Sequence, residues 1–287
     1  MKEKRIGFIG LGEMGRPMAK NLLKNGFDLT VCGHRRKEPI EELRSLGAAV
    51  AATPMEAAES SEVVIIMVRD IPQTDEVFFG KGFWKGCGIW KGIKSGSTVI
   101  LCSTLNPGYC QDLEVKGREK GVSVLDSPVS GGSPGAKTGN LTFMVGGNRA
   151  VFERNMDVFR AMGKMIFYIG GAGMGQAIKL VNNYMMVVTS HGTSEAVRMG
   201  LKAGLGMERM MEIIRVSSGN SSVIQNWDML ADEWRERRIN EPGSLSLFYK
   251  DMMLGVDFAE ELGLKADFGR LAIESDDSSL FPTKLGE

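Results

Sequence analysis

The hydrophobic positions of the chain follow two different patterns, one before about residue 165 and one after Gly175. In the first part, short continuous apolar runs alternate with stretches whose apolar residues recur at helical spacing. The runs Val63–Val68 and Thr98–Cys102 are typical of parallel strands that are covered on both faces. Strands that alternate with helices in this way predict a doubly wound α/β domain.

The second part of the chain shows only the helical pattern. Gln176–Ala203 contains no proline and predicts one long helix of roughly 40 Å. Further helices are predicted over Met207–Val216, Ser222–Trp234 and Ser246–Leu262. We therefore predict two domains: residues 1–165 form the α/β domain, and residues 166–287 form an all-α domain built on the long interdomain helix. The polar tail Asp276–Glu287 is expected to be loose.

A glycine-rich segment follows the first predicted strand. Arg5–Gly15 reads RIGFIGLGEMG and places Gly10, Gly12 and Gly15 in G-x-G-x-x-G spacing. With the helix and the strand that follow, it completes a strand–helix–strand unit of about 30 residues, the size of a dinucleotide-binding unit. In such a unit the first glycine allows the turn, the second lets the backbone approach a pyrophosphate, and the third lets the helix pack on the strand. The alternative is a glycine-rich turn with a purely structural role.

The residues after the second strand, Leu29–Cys32, bear on the choice between NAD and NADP. An NAD site usually places Asp or Glu at the end of this strand, where the carboxylate binds the ribose hydroxyls. Here no acid occupies that place, and four residues that can carry positive charge follow instead: His34, Arg35, Arg36 and Lys37. Because Arg binds a 2′-phosphate with paired hydrogen bonds, the pattern favours NADP over NAD. The alternative is a solvated charge cluster, partly balanced by Glu38, Glu41 and Glu42.

Composition and charge exclude several classes of function. Among 287 residues, 35 Lys and Arg balance 35 Asp and Glu, so nothing indicates a nucleic acid or an anionic membrane as a partner. No apolar stretch is long enough to span a bilayer, and Glu3 leads directly into a strand, so we expect no signal peptide and a cytoplasmic protein. The four cysteines lack C-x-x-C spacing and the chain has two histidines, so we expect reduced thiols and no metal site.

Two further segments carry candidate chemistry, and the first is Asp126–Gly139, DSPVSGGSPGAKTG. It begins where a predicted strand ends, and open α/β sheets bind ligands at such ends. Ser130, Gly131 and Gly132 would expose a run of backbone N–H groups and a hydroxyl, which suits a carboxylate-bearing substrate. Taken alone, the segment is equally well explained as a plain glycine-rich loop.

The second segment is Gly170–Asn183, GGAGMGQAIKLVNN, at the start of the long helix. Lys179 and Asn183 lie one turn apart on the same face of this helix. A lysine just after the domain junction can serve as proton donor and acceptor in the cleft where pockets tend to lie. The alternative is an ordinary surface lysine whose stem lies along apolar neighbours. The pair Lys250-Asp251, near the start of a late helix, means little by itself.

Four motifs that occur in this order resemble the β-hydroxyacid dehydrogenases, which include 3-hydroxyisobutyrate dehydrogenase and the tartronate, glyoxylate and succinic semialdehyde reductases. The motifs are GFIGLGEMGRPMAKNL, DSPVSGGSPGAKTGNLTFMVGG, GGAGMGQAIKLVNN and KDMML, and the resemblance covers roughly residues 4–265. It implies a Rossmann-type cofactor domain, an all-α domain for substrate binding and oligomerisation, and a homodimer or homotetramer.

The resemblance also implies roles for individual residues. The pyrophosphate would be bound by Gly10, Leu11, Gly12, Met14 and Gly15. The rest of the cofactor would be contacted by the Val68 backbone, by Thr104 near the nicotinamide, and by Lys250 from the helical domain. Ser130, Gly131 and Gly132 would bind the substrate carboxylate, Lys179 would be the acid/base, and Asn183 would orient the substrate. Two departures from the family pattern, Val68-Arg69 in place of Leu-Pro and Leu101 in place of Asp, concern details of the cofactor pocket.

The function implied is hydride transfer between NADP(H) and a short semialdehyde, 2-oxo acid or 3-hydroxy acid, such as 3-hydroxyisobutyrate, succinic semialdehyde or glyoxylate. An imine reductase is one alternative, although those relatives usually lack a lysine at the place of Lys179. A non-catalytic NADP-binding scaffold is another, against which Lys179 and Asn183 also argue. The sequence leaves the substrate and the number of subunits open.

Overall fold

The computed structural model describes residues 2–34, 36–240, 246–275 and 280–282. The chain divides into two units, Met1–Lys179 and Leu180–Glu287. The first unit contains the strands β1 (Lys2–Ile9), β2 (Phe27–Cys32), β3 (Ala49–Val50), β4 (Val63–Ile66), β5 (Thr98–Leu101), β6 (Ser123–Asp126), β7 (Val129–Ser130), β8 (Leu141–Gly146) and β9 (Gly163–Gly170). Its helices are α1 (Gly15–Lys24), α2 (Glu38–Ser45), α3 (Pro54–Glu59), α4 (Ile71–Phe79), α5 (Ile89–Gly92), α6 (Pro107–Glu119), α7 (Gly132–Thr138), α8 (Arg149–Arg154) and α9 (Met156–Met162).

The long helix α10 (Met174–Lys202) begins in the first unit and continues into the second. The second unit adds α11 (Met207–Arg215), α12 (Ser222–Gln225), α13 (Trp227–Asn240), α14 (Ser246–Glu261) and α15 (Asp267–Glu274). The predicted fold class is therefore confirmed, a doubly wound α/β sheet followed by a helical part that starts with one long helix.

The sheet of the first unit is parallel over six strands, in the order β3-β2-β1-β4-β5-β6. This is the strand order of the Rossmann fold, and the chain reverses direction across the sheet between β1 and β4. Strand β8 then pairs antiparallel with β6, β7 pairs antiparallel with β8, and β9 pairs parallel with β8.

The register of the parallel strands brings their carboxyl ends to one edge. Ile9, Ile66, Leu101 and Asp126 form one row across β1, β4, β5 and β6. With about 4.8 Å between neighbouring strands, the ends of β1 and β6 lie roughly 14 Å apart. The loops that leave these four ends therefore share one edge of the sheet, where ligands bind in this fold.

Apolar residues on both faces of the sheet explain the continuous runs seen in the sequence. Along β4, Val63 and Ile65 pack into the core on one face, and Val64 and Ile66 pack into the core on the other. All four are at most 3% exposed. Burial of each such side chain contributes about 1.5–3 kcal/mol relative to its exposed state.

Two helical stretches, one of them the predicted helix Ser222–Trp234, are interrupted at asparagine. Arg149–Met162 divides into α8 and α9 at Asn155, which is 1% exposed and whose side-chain amide donates to the Val151 carbonyl at 2.9 Å. Ser222–Trp234 likewise breaks at Asn226, whose amide donates to the Ser222 carbonyl at 2.8 Å. In both cases the same carbonyl also accepts the backbone N–H of the asparagine, at 3.2 Å for Asn155 and 3.1 Å for Asn226, so the asparagine side chain closes the last turn of the preceding helix.

The prediction of a loose tail is wrong for residues 280–282. Phe281 is 9% exposed and its ring lies 5.2 Å from that of Trp227 and 5.9 Å from that of Trp234. Its backbone N–H donates to the Ser194 hydroxyl at 3.1 Å, which attaches this segment to α10 within the second unit. Residues 276–279 and 283–287 lie outside the described residues.

Candidate active site

Two glycines of the turn after β1 are required by packing. Gly10 has a φ of +98°, and a Cβ there would lie 2.1 Å from the Met67 carbonyl oxygen. A Cβ on Gly15 would lie 1.8 Å from the Gly10 carbonyl oxygen. Any side chain at either place would force the turn and α1 away from the sheet, because atoms at such distances overlap.

Gly12 differs from these two glycines, because a Cβ there would meet nothing within 4 Å. The protein therefore does not need glycine at this place for its own packing. Helix α1 starts next to it, after Met14, with no side-chain hydrogen bond capping its first turn in the part of the chain that the structure describes. An open backbone beside an uncapped helix start fits a pyrophosphate, whose charge the N–H groups and the helix dipole favour.

The end of β2 presents positive charge and aromatic rings. His34 is exposed, and its ring lies edge-on to Phe83 with 4.2 Å between centroids and 5.7 Å from Trp84. Arg36 is also exposed, whereas Arg35 lies outside the described residues. The two aromatic residues belong to the irregular segment between Gly80 and Gly92, for which the sequence predicts no role.

Two of the three acids that the alternative interpretation needs as partners for this charge are paired with other residues. The Glu41 carboxylate pairs with Arg44 at 2.8 Å. The Glu42 carboxylate pairs with Lys20 and with Arg16, and hydrogen bonds from Lys20 and then Arg16 hold its pKa below the ordinary value. The positive charge after β2 is thus not neutralised by these two carboxylates.

The ends of β4 and β5 are joined through one hydroxyl. The Ser103 hydroxyl donates to the Val68 carbonyl at 2.7 Å and accepts from the Val68 N–H at 3.0 Å. Ser103 is 2% exposed, so this contact is shielded from water. It fixes Val68, the predicted backbone contact to the cofactor, beside the half-buried Thr104.

The predicted carboxylate-binding residues stand at the junction of β7 and α7. Ser130 ends the short strand, and Gly131 and Gly132 have φ of +116° and +56°. This left-handed pair turns the chain from the strand into a helix, and Gly135 N–H closes the first turn on the Gly131 carbonyl at 2.9 Å. Both glycines are exposed, so this turn of fixed geometry is open to solvent.

Asp126 connects this region to the start of α10. Its carboxylate accepts from the Gly173 N–H at 2.8 Å through one oxygen and from the Gln176 N–H at 2.9 Å through the other. Asp126 is 2% exposed, and burial raises the pKa of its carboxyl while these hydrogen bonds oppose the rise. A carboxylate at this place satisfies N–H groups that a helix start leaves without intrahelical partners.

Helix α10 carries Lys179 and Asn183. Lys179 is half-buried and lies five residues after the first residue of the helix, about 7.5 Å along its axis. Asn183 is 5% exposed, and its amide donates to the Asp251 carboxylate at 2.7 Å within the second unit. The same carboxylate pairs with Lys250 at 2.7 Å.

Three residues of this arrangement have no assigned role in the sequence-based prediction: Asp126, Gln176 and Asp251. Each lies inside a motif that carries the family resemblance, which was the available signal. Their partners are 47 to 73 residues away along the chain, and no spacing rule identifies such partners.

The remaining polar groups give no sign of a metal centre. Within the described residues, no group of three or more His, Cys, Asp or Glu side chains is placed to hold a metal ion. The four cysteines are free thiols, of which Cys32, Cys102 and Cys110 are buried. Among the helices that the structure describes, none combines the length and the apolar character needed to cross a membrane.

Two family models match the chain. The NAD-binding domain of 6-phosphogluconate dehydrogenase matches residues 5–170, and the NAD-binding domain of NADP-dependent 3-hydroxyisobutyrate dehydrogenase matches residues 173–275. Together they cover both the sheet with its glycine-rich turn and the helical part with Lys179.

Individual relatives agree with these matches. The NAD-dependent L-serine dehydrogenase of Pseudomonas aeruginosa is 35% identical over 279 residues, which cover 94% of this chain and 90% of that protein. The mitochondrial 3-hydroxyisobutyrate dehydrogenase of Mus musculus is 37% identical over 214 residues, which cover 75% of this chain but 62% of the mouse protein. A solved 3-hydroxyisobutyrate dehydrogenase of Mycobacterium tuberculosis with L-serine has a TM-score of 0.81 at 26% identity, covering 97% of this chain and 96% of that one.

The relatives are named as dehydrogenases that act on hydroxyl groups, and the chain has their nicotinamide-binding fold. The chain belongs to the β-hydroxyacid dehydrogenase family and is an NAD(P)-dependent oxidoreductase.

Proposed function

We propose that the protein interconverts a short 3-hydroxy acid, or a related hydroxy acid, with the matching semialdehyde or oxo acid, using NADP(H). Substrates of this class include 3-hydroxyisobutyrate, succinic semialdehyde and glyoxylate. One observation carries the proposal: the Asp126 carboxylate accepts two backbone hydrogen bonds from the start of α10. They hold the helix that bears Lys179 at the end of β6. The loop that contains Ser130 follows the same strand, so the proposed acid/base group and the proposed carboxylate-binding loop are both attached to β6.

A bound nicotinamide supplies or accepts the hydride in this chemistry. The Lys179 ammonium donates a proton to the carbonyl oxygen of the substrate as that oxygen gains negative charge during reduction. In oxidation the neutral amine accepts the hydroxyl proton, so charge and atoms balance in both directions. Asn183 orients the substrate by hydrogen bonding, and Asp251 holds the Asn183 amide in one rotamer.

The loop of Ser130, Gly131 and Gly132 is proposed to bind the substrate carboxylate. The backbone N–H groups of an exposed turn and one hydroxyl are donors from which a carboxylate can accept hydrogen bonds. Holding the carboxylate fixes its distance from the reacting carbon, so substrates of one chain length are favoured. The relatives named for L-serine and 3-hydroxyisobutyrate act on molecules that carry a hydroxyl two carbons from a carboxylate, and this chemistry agrees with the proposed class.

The preference for NADP rests on the end of β2. No carboxylate follows Cys32 until Glu38, and a carboxylate there would repel a 2′-phosphate. The exposed Arg36 and the neighbouring His34 lie where that phosphate would be bound, while Glu41 and Glu42 pair with other cations. One relative is named as NAD-dependent, so the preference for NADP over NAD has to be measured on this protein itself.

We also propose that the protein forms a homodimer or homotetramer through its helical part. Several large apolar side chains of the second unit are strongly exposed, among them Met199 at 67%, Val216 at 87% and Phe268 at 71%. Apolar surface of this kind is typical of an interface. Light scattering after size-exclusion chromatography gives the mass directly, and a mass near 31.3 kDa would show a monomer.

A panel of substrates and cofactors tests the proposed function. Steady-state kcat/KM is measured for succinic semialdehyde, glyoxylate, tartronate semialdehyde, methylmalonate semialdehyde and one cyclic imine, with NADPH and with NADH. We expect turnover of at least one, with NADPH favoured at least about tenfold, the effect of one good charge-assisted contact. Reduction of a cyclic imine but of no oxo acid would indicate an imine reductase, and NADPH binding without any turnover would indicate a scaffold. Equal or better use of NADH would contradict the NADP assignment alone.

A further inference from the structure

The Gln176 side chain holds the turn between β5 and α6 from both sides. Its amide oxygen accepts from the Leu105 N–H at 3.0 Å, and its amide nitrogen donates to the Ser103 carbonyl at 2.8 Å. Gln176 is 0% exposed, so water does not compete for either bond. The residue enclosed by these two bonds is Thr104, the predicted neighbour of the nicotinamide.

The Gln176 backbone is fixed as firmly as its side chain. Its N–H donates to the Asp126 carboxylate at 2.9 Å, and the same carboxylate accepts from Gly173 at 2.8 Å. Two glycines make room for this carboxylate, since a Cβ on Gly146 or on Gly175 would lie 2.5 or 2.8 Å from its oxygens. The first turn of α10 is therefore attached to the ends of both β5 and β6.

Lys179 follows Gln176 by three residues, which places the two side chains on adjoining parts of one helix surface and about 4.5 Å apart along the axis. A helix turn held by four hydrogen bonds to two strand ends cannot slide or rotate relative to the sheet without breaking buried bonds. The position of the Lys179 backbone relative to Thr104 is thus set through one glutamine.

We propose that Gln176 is a positioning residue, which sets the distance between the Lys179 ammonium and the Thr104 turn beside the nicotinamide. The inference rests on the proposed function for its kinetic consequence. It goes beyond that function by naming the buried amide on which the alignment of proton donor and hydride donor depends. A change of about 1 Å in such an alignment costs up to roughly a hundredfold in rate.

Gln176→Leu removes both side-chain bonds while keeping a buried side chain of similar size. We expect kcat to fall about 10- to 100-fold, with the NADPH dissociation constant within about threefold of the wild-type value, because the glycine-rich turn is untouched. The matched control is Gln111→Leu. Gln111 is exposed, and its amide donates at 3.2 Å to the Ala172 carbonyl, just before α10. We expect its kcat to stay within about twofold of wild type.

Gln176→Glu gives a signature that a merely structural role would not produce. A protonated carboxyl reproduces both bonds, accepting from Leu105 and donating to Ser103, whereas a carboxylate places negative charge against the Ser103 carbonyl. The ratio of variant to wild-type kcat should therefore rise as the pH falls. Asp126 on β6 and Cys110 on α6 face this side chain, and Cys110 forms a side-chain hydrogen bond with Gln176, so the pH at which the ratio changes is a property of these coupled groups together.

Three results would overturn the proposal. The first is a folded Gln176→Leu protein with kcat within twofold of wild type. The second is a loss of activity in Gln176→Leu that equals its loss of NADPH binding or of folded protein. The third, which applies even if Gln176→Leu does not fold, is a Gln176→Glu ratio that stays low at every pH, because a protonated carboxyl at this buried place would keep kcat close to the wild-type value.

A wild-type protein without turnover would refute the proposed function and would leave the positioning role to a separate measurement. Hydrogen exchange then reports on the Leu105 N–H, which donates to Gln176 in a buried place. We expect this amide to exchange at least about tenfold faster in Gln176→Leu than in Gln111→Leu. Equal exchange in the two variants would contradict the proposal.

Discussion

Alanine substitutions at Gly12 and at Gly15, in the turn after β1, separate folding from cofactor binding. In Gly12→Ala the new methyl group meets no protein atom within 4 Å, so the fold tolerates it. A Gly→Ala change at a compatible place stabilises a protein by about 0.4–1 kcal/mol through the unfolded chain. In Gly15→Ala the methyl would lie 1.8 Å from the Gly10 carbonyl oxygen, and we expect the free energy of unfolding to fall by more than about 3 kcal/mol.

NADPH affinity should fall in Gly12→Ala, although this protein is expected to fold normally. If the pyrophosphate approaches the backbone at Gly12, the methyl group occupies that space and NADPH affinity falls at least about tenfold, or 1.4 kcal/mol. Thermal melting and titration of NADPH fluorescence measure the two quantities on the same samples. Gly206→Ala is the control, because Gly206 is equally open, has an ordinary φ of −74° and lies in the second unit. Wild-type NADPH affinity in a folded Gly12→Ala protein would refute the placement of the pyrophosphate at this turn.

Two further predictions concern buried groups near the strand ends. Ser127 is 0% exposed, and its hydroxyl has no hydrogen-bond partner among the described residues. Ser127→Ala should therefore raise the free energy of unfolding by about 1–3 kcal/mol without lowering kcat. A lower melting temperature of this variant would show that the hydroxyl has a partner. Burial raises the pKa of the Cys32 thiol to about 12, with Glu56 adding to the rise, and burial also raises the pKa of Cys102. At pH 8 a thiol of pKa 12 is thiolate in about one molecule in 10⁴. A thiol reagent should therefore modify the partly exposed Cys87 first. Rapid reaction of Cys32 in the folded protein would contradict its burial.

The order of the longer strands and helices follows from the sequence, because each of these elements is long enough to show its own period. The four apolar residues of β4 are buried on both faces, as a continuous run indicates. Helix α7 was not predicted, because GSPGAKT has low helix propensity. It forms because Ser133 and Ala136 are buried against the sheet and because Gly131 and Gly132 supply the left-handed turn that precedes it.

The sequence predicts which segments form the candidate site, but it does not predict the contacts between them. The positions of Gly10 and Lys179 follow from motifs, since their neighbours in sequence define them. The bonds of Asp126 and Gln176 join residues 47 to 73 positions apart, and hydrogen bonding between such residues leaves no periodic trace in the sequence. Tertiary structure was needed to show that these two residues hold α10 to the sheet.

The central claim is that Lys179 transfers the substrate proton, and single-turnover kinetics of Lys179→Ala test it most directly. Lys202→Ala is the matched control, since Lys202 is exposed in the same helix and about 35 Å further along its axis. Loss of a general acid/base typically costs 10²- to 10⁴-fold in rate, so the hydride-transfer rate of Lys179→Ala should fall by about this factor. NADPH binding should stay within about twofold of wild type, and Lys202→Ala should be unchanged. A Lys179→Ala protein that binds NADPH and transfers hydride at the wild-type rate would contradict the account.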